Sequence, residues 1–447
     1  MKLKYLSVLA IGLVLQLSRV QAQELLTLQQ AIKFALENKA DAKKSKLDVI
    51  NAQNKIDEVR SGALPQVNLS AGVTYNPIIQ QVALDGALMG KPGETVLVTM
   101  GQRWQSTPTL SLNQQLFNQT VFTGLKAANT TREFYIINDQ LTEEQLIEKV
   151  ANAYYDVYTS QLNLQTVQTN IDNASKNQKI IEGLFQAGLA KKIDLDRIVV
   201  NINNLKAQKQ QLINGLELKE NALKFALGMD ITKPIEMPKE TFKIDAEVLH
   251  EVADVSNRTE VKVLEKQLEL LDLNMKAEKS AYYPTLSLTA NYGYTGFGAQ
   301  FPIFNNHPSV NWANFSSVGL NLAFPVFNGF KTRSKVRQAN VDIKKAEIDL
   351  MDTKLALSLG NENAKAQVKN SLLTVNTNQA NVQLAKEVLD NTSNNYRNGL
   401  ATLTELLDAE QAYADSQNNL NTSLLNYKVA EIQLVKANGK LKTLVNE

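Results

Sequence analysis

In the run TLTELLDAEQ, Glu405 and Asp408 stand three residues apart, which on a helix places two carboxylates one turn from each other. Such a pair can do acid–base work on a glycosidic bond. It can also do no more than stabilise a helix N-terminus through the macrodipole, with Thr402 or Thr404 as the cap. Carboxylate pairs recur along this chain, so the enzymatic reading has little to set it apart. The first-half acids Asp194 and Asp196, in KKIDLDRI, read as caps or as intersubunit partners of Arg197 and the neighbouring lysines. The rest of the reactive inventory is thin. The chain has no cysteine, and its two histidines, His250 and His307, are too few for a His-based zinc site. No nucleophile or phosphate-loop motif occurs, so neither an enzyme nor a cofactor is expected. Function must come from what the elements build.

The elements begin with an export signal. Lys2 and Lys4 precede an apolar run from Leu6 to Leu17, and Val20 and Ala22 suit a cleavage before Gln23. This reads as a signal peptide over 1–22. Its removal takes away Lys2, Lys4 and Arg19 and no acid, so 47 basic residues become 44 against 45 acidic ones and the net charge moves from +2 to −1. No basic excess remains to suggest nucleic acid. No later segment approaches the ~18 consecutive apolar residues of a spanning helix, so entry into a membrane would require a closed β-barrel.

The mature chain repeats itself. SGALPQVNLSAGVTY (61–75) matches SAYYPTLSLTANYGY (280–294), LSLNQQLFN (110–118) matches LNLAFPVFN (320–328), and LFQAGLAKKIDLDRI (184–198) matches NYRNGLATLTELLDA (395–409). Gly188 falls on Gly399, Leu189 on Leu400, and at the same offset Gly228 falls on Gly439. A period this long marks a duplicated half-molecule and not a solenoid unit. The first repeat spans 23–228, a linker 229–256 and the second repeat 257–447. Each repeat reads helix, strand, long loop, strand and helical hairpin. The strands are expected at about 65–80, 97–117, 283–295 and 314–327, and the hairpins at 119–228 and 329–440. None of the ten prolines lies in 109–233 or 326–447, which permits very long helices. A helix from Gln119 to Ala187 would be ~100 Å long. The hairpins carry polar-interrupted 3.5-residue seams, such as Ile147, Val150, Tyr154 and Val157, or Val368, Leu372, Val375, Gln379, Val382, Lys386 and Leu389.

The strands alternate strictly. In PQVNLSAGVTY, Val67, Leu69, Ala71, Val73 and Tyr75 oppose Gln66, Asn68, Ser70, Gly72 and Thr74. Leu110, Leu112 and Leu116 form a similar row that Gln114 interrupts; Leu286 to Tyr294 and Val318 to Val326 give two more. The polar rows are small and uncharged. A half-buried soluble sheet would alternate identically, but export, the missing helical span and aromatic residues at the strand ends favour lipid on the apolar side. Tyr75, Trp104, Tyr292, Tyr294 and Trp312 are the expected interface aromatics, the two tryptophans lying just outside the alternating rows. Four strands do not close a membrane barrel, so the chain must oligomerise; two, three or four copies would supply eight, twelve or sixteen strands.

Three segments carry a family resemblance across nearly the whole mature chain: NRTEVKVLEKQLELLDLNMKAEKSAYYPTLSL (257–288), FPVFNGFKTRSKVRQAN (324–340) and YRNGLATLTELLDAEQAY (396–413). They resemble the TolC family of outer-membrane efflux proteins. The resemblance implies a mainly α protein with a membrane β-barrel: a homotrimer whose twelve-stranded barrel sits in outer-membrane lipid on a long α-helical periplasmic tunnel. It implies the exit channel of a tripartite efflux or type I secretion system, served by a periplasmic adaptor and an inner-membrane transporter. The alternative is a periplasmic coiled-coil scaffold without a pore. In the family the hairpin tips close the periplasmic entrance. By that likeness Glu405, Asp408 and Tyr396 become gate residues, each acid forming a ring of three that favours cations, and Gly188, Leu189, Gly399 and Leu400 mark tips that dock the adaptor. The basic residue that some members carry near Ala401 is missing here.

Overall fold

The computed structural model describes residues 25–238, 254–303 and 308–445. The expected signal peptide, His250, His307 and the middle of the linker lie outside the described residues. In order, the elements are α1 (Leu28–Asn38), α2 (Ala40–Ser61), β1 (Gln66–Ser70), β2 (Val73–Tyr75), β3 (Gln81–Asp85), β4 (Thr95–Thr99), β5 (Trp104–Ser106), β6 (Thr109–Phe117), α3 (Gln119–Gln186), α4 (Lys192–Leu227), α5 (Thr259–Ser280), β7 (Thr285–Gly298), β8 (Val310–Ala323), α6 (Lys331–Arg397) and α7 (Leu403–Ala437). The chain divides into a helical unit (1–48, 135–264 and 349–447) and a strand-bearing unit (49–134 and 265–348).

Among the described residues, the helical unit is held by three separate apolar clusters and not by one broad core. In the first, Ile147, Val150, Tyr154 and Val157 of α3 meet Ile32 of α1, Leu223 and Leu227 of α4, and Ile432 of α7. Tyr154 is fully buried, and its hydroxyl donates to the Leu26 carbonyl at 3.2 Å, which meets the need of a buried phenol for a partner. A capping box starts α1: Thr27 Oγ1 accepts from the Gln30 N–H, and the Gln30 side chain accepts from the Thr27 N–H at 3.0 Å. In the described part of the linker, Met237 is buried against this cluster. The second cluster joins Val368 and Val375 of α6 to Tyr427, Ala430 and Leu434 of α7; the third lies at the hairpin tips.

The α6 seam differs from the expected one. Val368, Ser371 and Val375 are buried and Asn378, Val382, Ala385 and Leu389 half-buried, while Gln379 and Lys386 are exposed. Every second position of the seam is therefore the smaller neighbour of the expected residue: Ser371 for Leu372, Asn378 for Gln379 and Ala385 for Lys386. Ser371, Asn378 and Ala385 let the helices approach, and a lysine there would carry its charge into the seam.

Among the described residues of the strand-bearing unit, eight segments make four lines of antiparallel sheet plus one separate hairpin. β1 pairs β6, β2 pairs β5, and β5 and β6 both pair β7, whose other side pairs β8 over its full length. The first two lines are broken, at 71–72 and 107–108. Pro108 has no N–H for a ladder; its carbonyl instead accepts from the Tyr294 N–H at 3.0 Å, and Thr107 donates to Gly72 O at 2.9 Å. The expected strand 314–327 lies instead at 310–323, ending two residues before Pro325. The expected loop 76–103 contains the hairpin β3–β4, with Val82 opposite Val98. Trp104 and Trp312 lie within β5 and β8, not beyond them.

Candidate functional site

The register sorts the sheet residues onto two faces. Leu69, Leu110, Tyr292 and Ser316 stand in one cross-strand row, as do Val67, Leu112, Ala290 and Val318, and Leu288 opposes Leu320 on the same face. The other face carries Asn68, Ser111, Asn291 and Ser317 in one row and Thr289 opposite Gly319. No charged side chain occurs in these rows. Gln114, the polar intruder on the apolar face, turns its amide to the backbone, donating to Ala63 O at 2.5 Å and Gln115 O at 3.0 Å. A β-bulge between Gln115 and Phe117 takes Leu116 out of the expected row and gives its place to Phe117, opposite Leu286.

The five expected interface aromatics fall on the apolar face. Tyr75 pairs Trp104 with ring centroids 4.6 Å apart, and Trp104 meets Phe301 edge-on at 5.3 Å. The Tyr292 and Tyr294 hydroxyls lie 3.0 Å apart. Trp312 lies over Gly296, where a Cβ would come within 2.8 Å of the indole, and Phe315 covers Gly293 on the opposite face. Glycine at these two positions supplies the floor on which each ring lies. Among the described residues, β1 and β2 on one side and β8 on the other each have one unpaired edge. No described helix is long and apolar enough to cross a membrane, and the described residues hold no group of three metal-ligating side chains.

At the far ends of the hairpins the two repeats build the same turn. Gly188 and Gly399 have φ of 76° and 74°, and the residue after each glycine bonds back across the turn, Leu189 N–H to Leu184 O and Leu400 N–H to Asn395 O, both at 2.8 Å. Leu189 and Leu400 are 77% and 78% exposed, so neither tip is sheltered by its own chain. The third apolar cluster backs the tips: Ala174 and Ile181 of α3, Ile198 and Ile202 of α4, and Leu403 and Leu406 of α7, with Tyr396 half-buried against them. Burial, and then the Asp194 carboxylate, hold the Tyr396 phenol above its ordinary range.

Thr402, not Thr404, caps α7. Its Oγ1 accepts from the Glu405 N–H at 3.2 Å, while the Glu405 carboxylate accepts from the Thr402 N–H at 2.7 Å and hydroxyl at 3.0 Å. The Thr402 backbone bond, then the hydroxyl bond, hold Glu405 below the usual carboxylate range. Asp408 is exposed one turn on. Asp194 accepts from the Lys191 N–H at 3.4 Å at the start of α4. Arg197 pairs with neither acid; it donates to Thr404 Oγ1 at 3.1 Å, joining the tips of the two hairpins. Sequence reading missed this bond because it looked for Arg197 partners among acids. It also missed Glu410, which meets Asn177 of α3 in a hydrogen bond; among so many helical acids nothing in its local sequence sets it apart.

A sheet with one lipid-compatible face, carried with duplicated helical hairpins on an exported chain, defines a membrane protein that meets lipid through strands and not through helices. The chain belongs to the outer membrane efflux protein family, which it matches over residues 31–229 and 255–440. It is 24% identical over 394 residues to outer membrane protein TolC of Vibrio cholerae, covering 86% of this chain and 83% of that one. To the probable efflux pump outer membrane protein TtgC of Pseudomonas putida it is 22% identical over 435 residues, covering 92% and 82%. Its fold is similar to that of VceC from Vibrio cholerae, with a TM-score of 0.73 at 18% identity over 92% of this chain and 96% of that one. The CmeC channel of Campylobacter jejuni gives 0.69 at 18% identity over 92% and 85%. The protein is an outer-membrane exit channel for efflux, with its helical portion in the periplasm. The scaffold without a pore gives way to that reading.

Proposed function

We propose that three copies of this chain close one twelve-stranded barrel and one helical tunnel, and that the hairpin tips form the periplasmic gate. The observation that carries the reading is the four-line sheet: its faces are sorted into apolar and small polar, and both its edges are open. An open edge in lipid leaves backbone groups unpaired, so closure must come from other copies. Three copies of four lines leave a lumen, whereas eight strands would be filled by side chains. The apolar face meets lipid, Tyr75, Trp104, Tyr292, Tyr294 and Trp312 lie at its interface, and the small polar face lines the lumen. Exposed Gly188–Leu189 and Gly399–Leu400 dock a periplasmic adaptor, which links the channel to an inner-membrane transporter.

At the gate, Glu405 and Asp408 become rings of three carboxylates, and the Arg197–Thr404 bond holds the hairpins together where the family's basic residue is missing. Conductance of the purified trimer in a planar bilayer tests this. Discrete cation-selective steps are expected, with selectivity reduced in Glu405→Gln and Asp408→Asn. Unchanged selectivity in both variants would return the two acids to helix capping alone.

A further inference from the structure

Behind the tip cluster, side-chain hydrogen bonds tie α3 to α7. The bonds that join them are polar: Asn421 donates to Asn163 Oδ1 at 2.9 Å and to Thr166 Oγ1 at 3.3 Å, and Asn177 donates to Glu410. Between Leu406 and Tyr427 the only buried residues of α7 are Ala409, Ala414 and Ser423. Beside Glu410 lies a partly open cavity of about 30 Å³, lined by Asn170, Asn173, Asn201, Leu205 and Leu389 among others. That volume admits a water or two.

We propose that Glu410 is a protonation latch on the α3–α7 seam: as the neutral acid it holds the second hairpin against the first, and as the carboxylate it loosens it. Glu410 is the one acid among the side chains that line this cavity, and Tyr413 is the other titratable group there. The charged residues on the four surrounding helices point elsewhere. Asp172 and Lys176 of α3, Arg197 and Lys206 of α4, Lys386 and Asp390 of α6, and Asp408 and Asp415 of α7 are all exposed; of the half-buried ones on α4, Lys209 donates to Gln168 Oε1 at 2.6 Å and Asp194 accepts from the Lys191 N–H. No cation therefore compensates an ionised Glu410 in its cavity, and burial raises its pKa against the opposing pull of the Asn177 bond. The sign follows. The packed seam binds the proton more tightly than the parted one, so its stability is full below the ordinary carboxylate range. It is lost as pH rises through the raised value. Three such latches would couple gate opening to periplasmic pH, which rests on the channel reading above.

The chain has no cysteine, so Lys176→Cys and Ala412→Cys, both exposed, can carry spin labels on either side of the seam. The inter-label distance is measured in detergent-solubilised trimers, diluted with unlabelled chain, from pH 4 to 8. The distribution is expected to lengthen with rising pH, to stay short in Glu410→Gln at every pH, and in Asn177→Ala to lengthen further at high pH, because without the bond that favours the carboxylate the packed seam accommodates an ionised Glu410 even less well. The packed-to-parted ratio should change on the order of tenfold for each unit of displacement. A Glu410→Gln profile that follows the wild type would overturn the latch, as would a wild-type distance independent of pH. Bilayer opening rates are read in parallel; a pH-dependent distance without any conductance would leave the latch standing and sink the gate.

Discussion

The capping box on α7 gives Thr402 and Glu405 a job that needs no second copy of the chain. Thr402→Ala should cost about 1 kcal/mol of local stability, read as faster amide exchange in the first turn of α7. The Glu405 carboxylate is held below its ordinary range by bonds made only in the capped state, so its contribution is present above that range and fades as pH falls through the depressed value. Glu405→Gln keeps an N3 acceptor; amide protection at the tip should then no longer fade as pH falls below the ordinary carboxylate range. The opposite pH directions of Glu405 and Glu410 make the two acids separable in one titration: acid weakens the tip cap and tightens the seam behind it.

At the scale of elements, β7 and β8 show how small residues set a pairing. The cross-strand pairs Gly293–Phe315 and Gly296–Trp312 each place a ring over a glycine. Gly296→Val would displace the indole, with an overpacking cost of about 1–3 kcal/mol. The expected outcome is a red-shifted tryptophan emission from Trp312, checked in a Trp104→Phe background, while Gly360→Val in α6, where a Cβ would meet nothing and the backbone is not left-handed, should leave that emission unchanged. The long helices follow a different logic. They are interrupted by three apolar clusters separated by polar seams, so parting one seam does not require breaking a continuous core.

For the whole molecule, the alternation of faces makes neighbouring residues behave oppositely. Val318, 77% exposed on the apolar face of β8, should not tolerate a charge: Val318→Arg is expected to cost about 2–4 kcal/mol at mid-membrane and to empty the outer-membrane fraction. Ser317→Arg, one residue away on the polar face, should insert normally and shift ion selectivity towards anions. Equal membrane yields for the two variants would contradict the assignment of faces and, with it, the closed barrel.

What the sequence by itself determined was everything with a period or a repeat. Alternation at two residues placed Val67, Leu69, Leu112 and Val318 on one face, because a strand has no other way to dispose them. The matched GLA turns at 188–190 and 399–401 placed both tips, because glycine alone enters the left-handed conformation cheaply. Absence of proline allowed two helices of 68 and 67 residues. Only the tertiary structure decided the rest. Whether the α6 seam ran through Asn378 or Gln379 depended on which residue the partner helix could approach. That Arg197 would find Thr404, 207 positions away, and that Asn177 would find Glu410, 233 positions away, followed from two hairpins meeting in space. A side chain's chemistry is local, but its partner and its dielectric are not, and pKa and pairing belong to those.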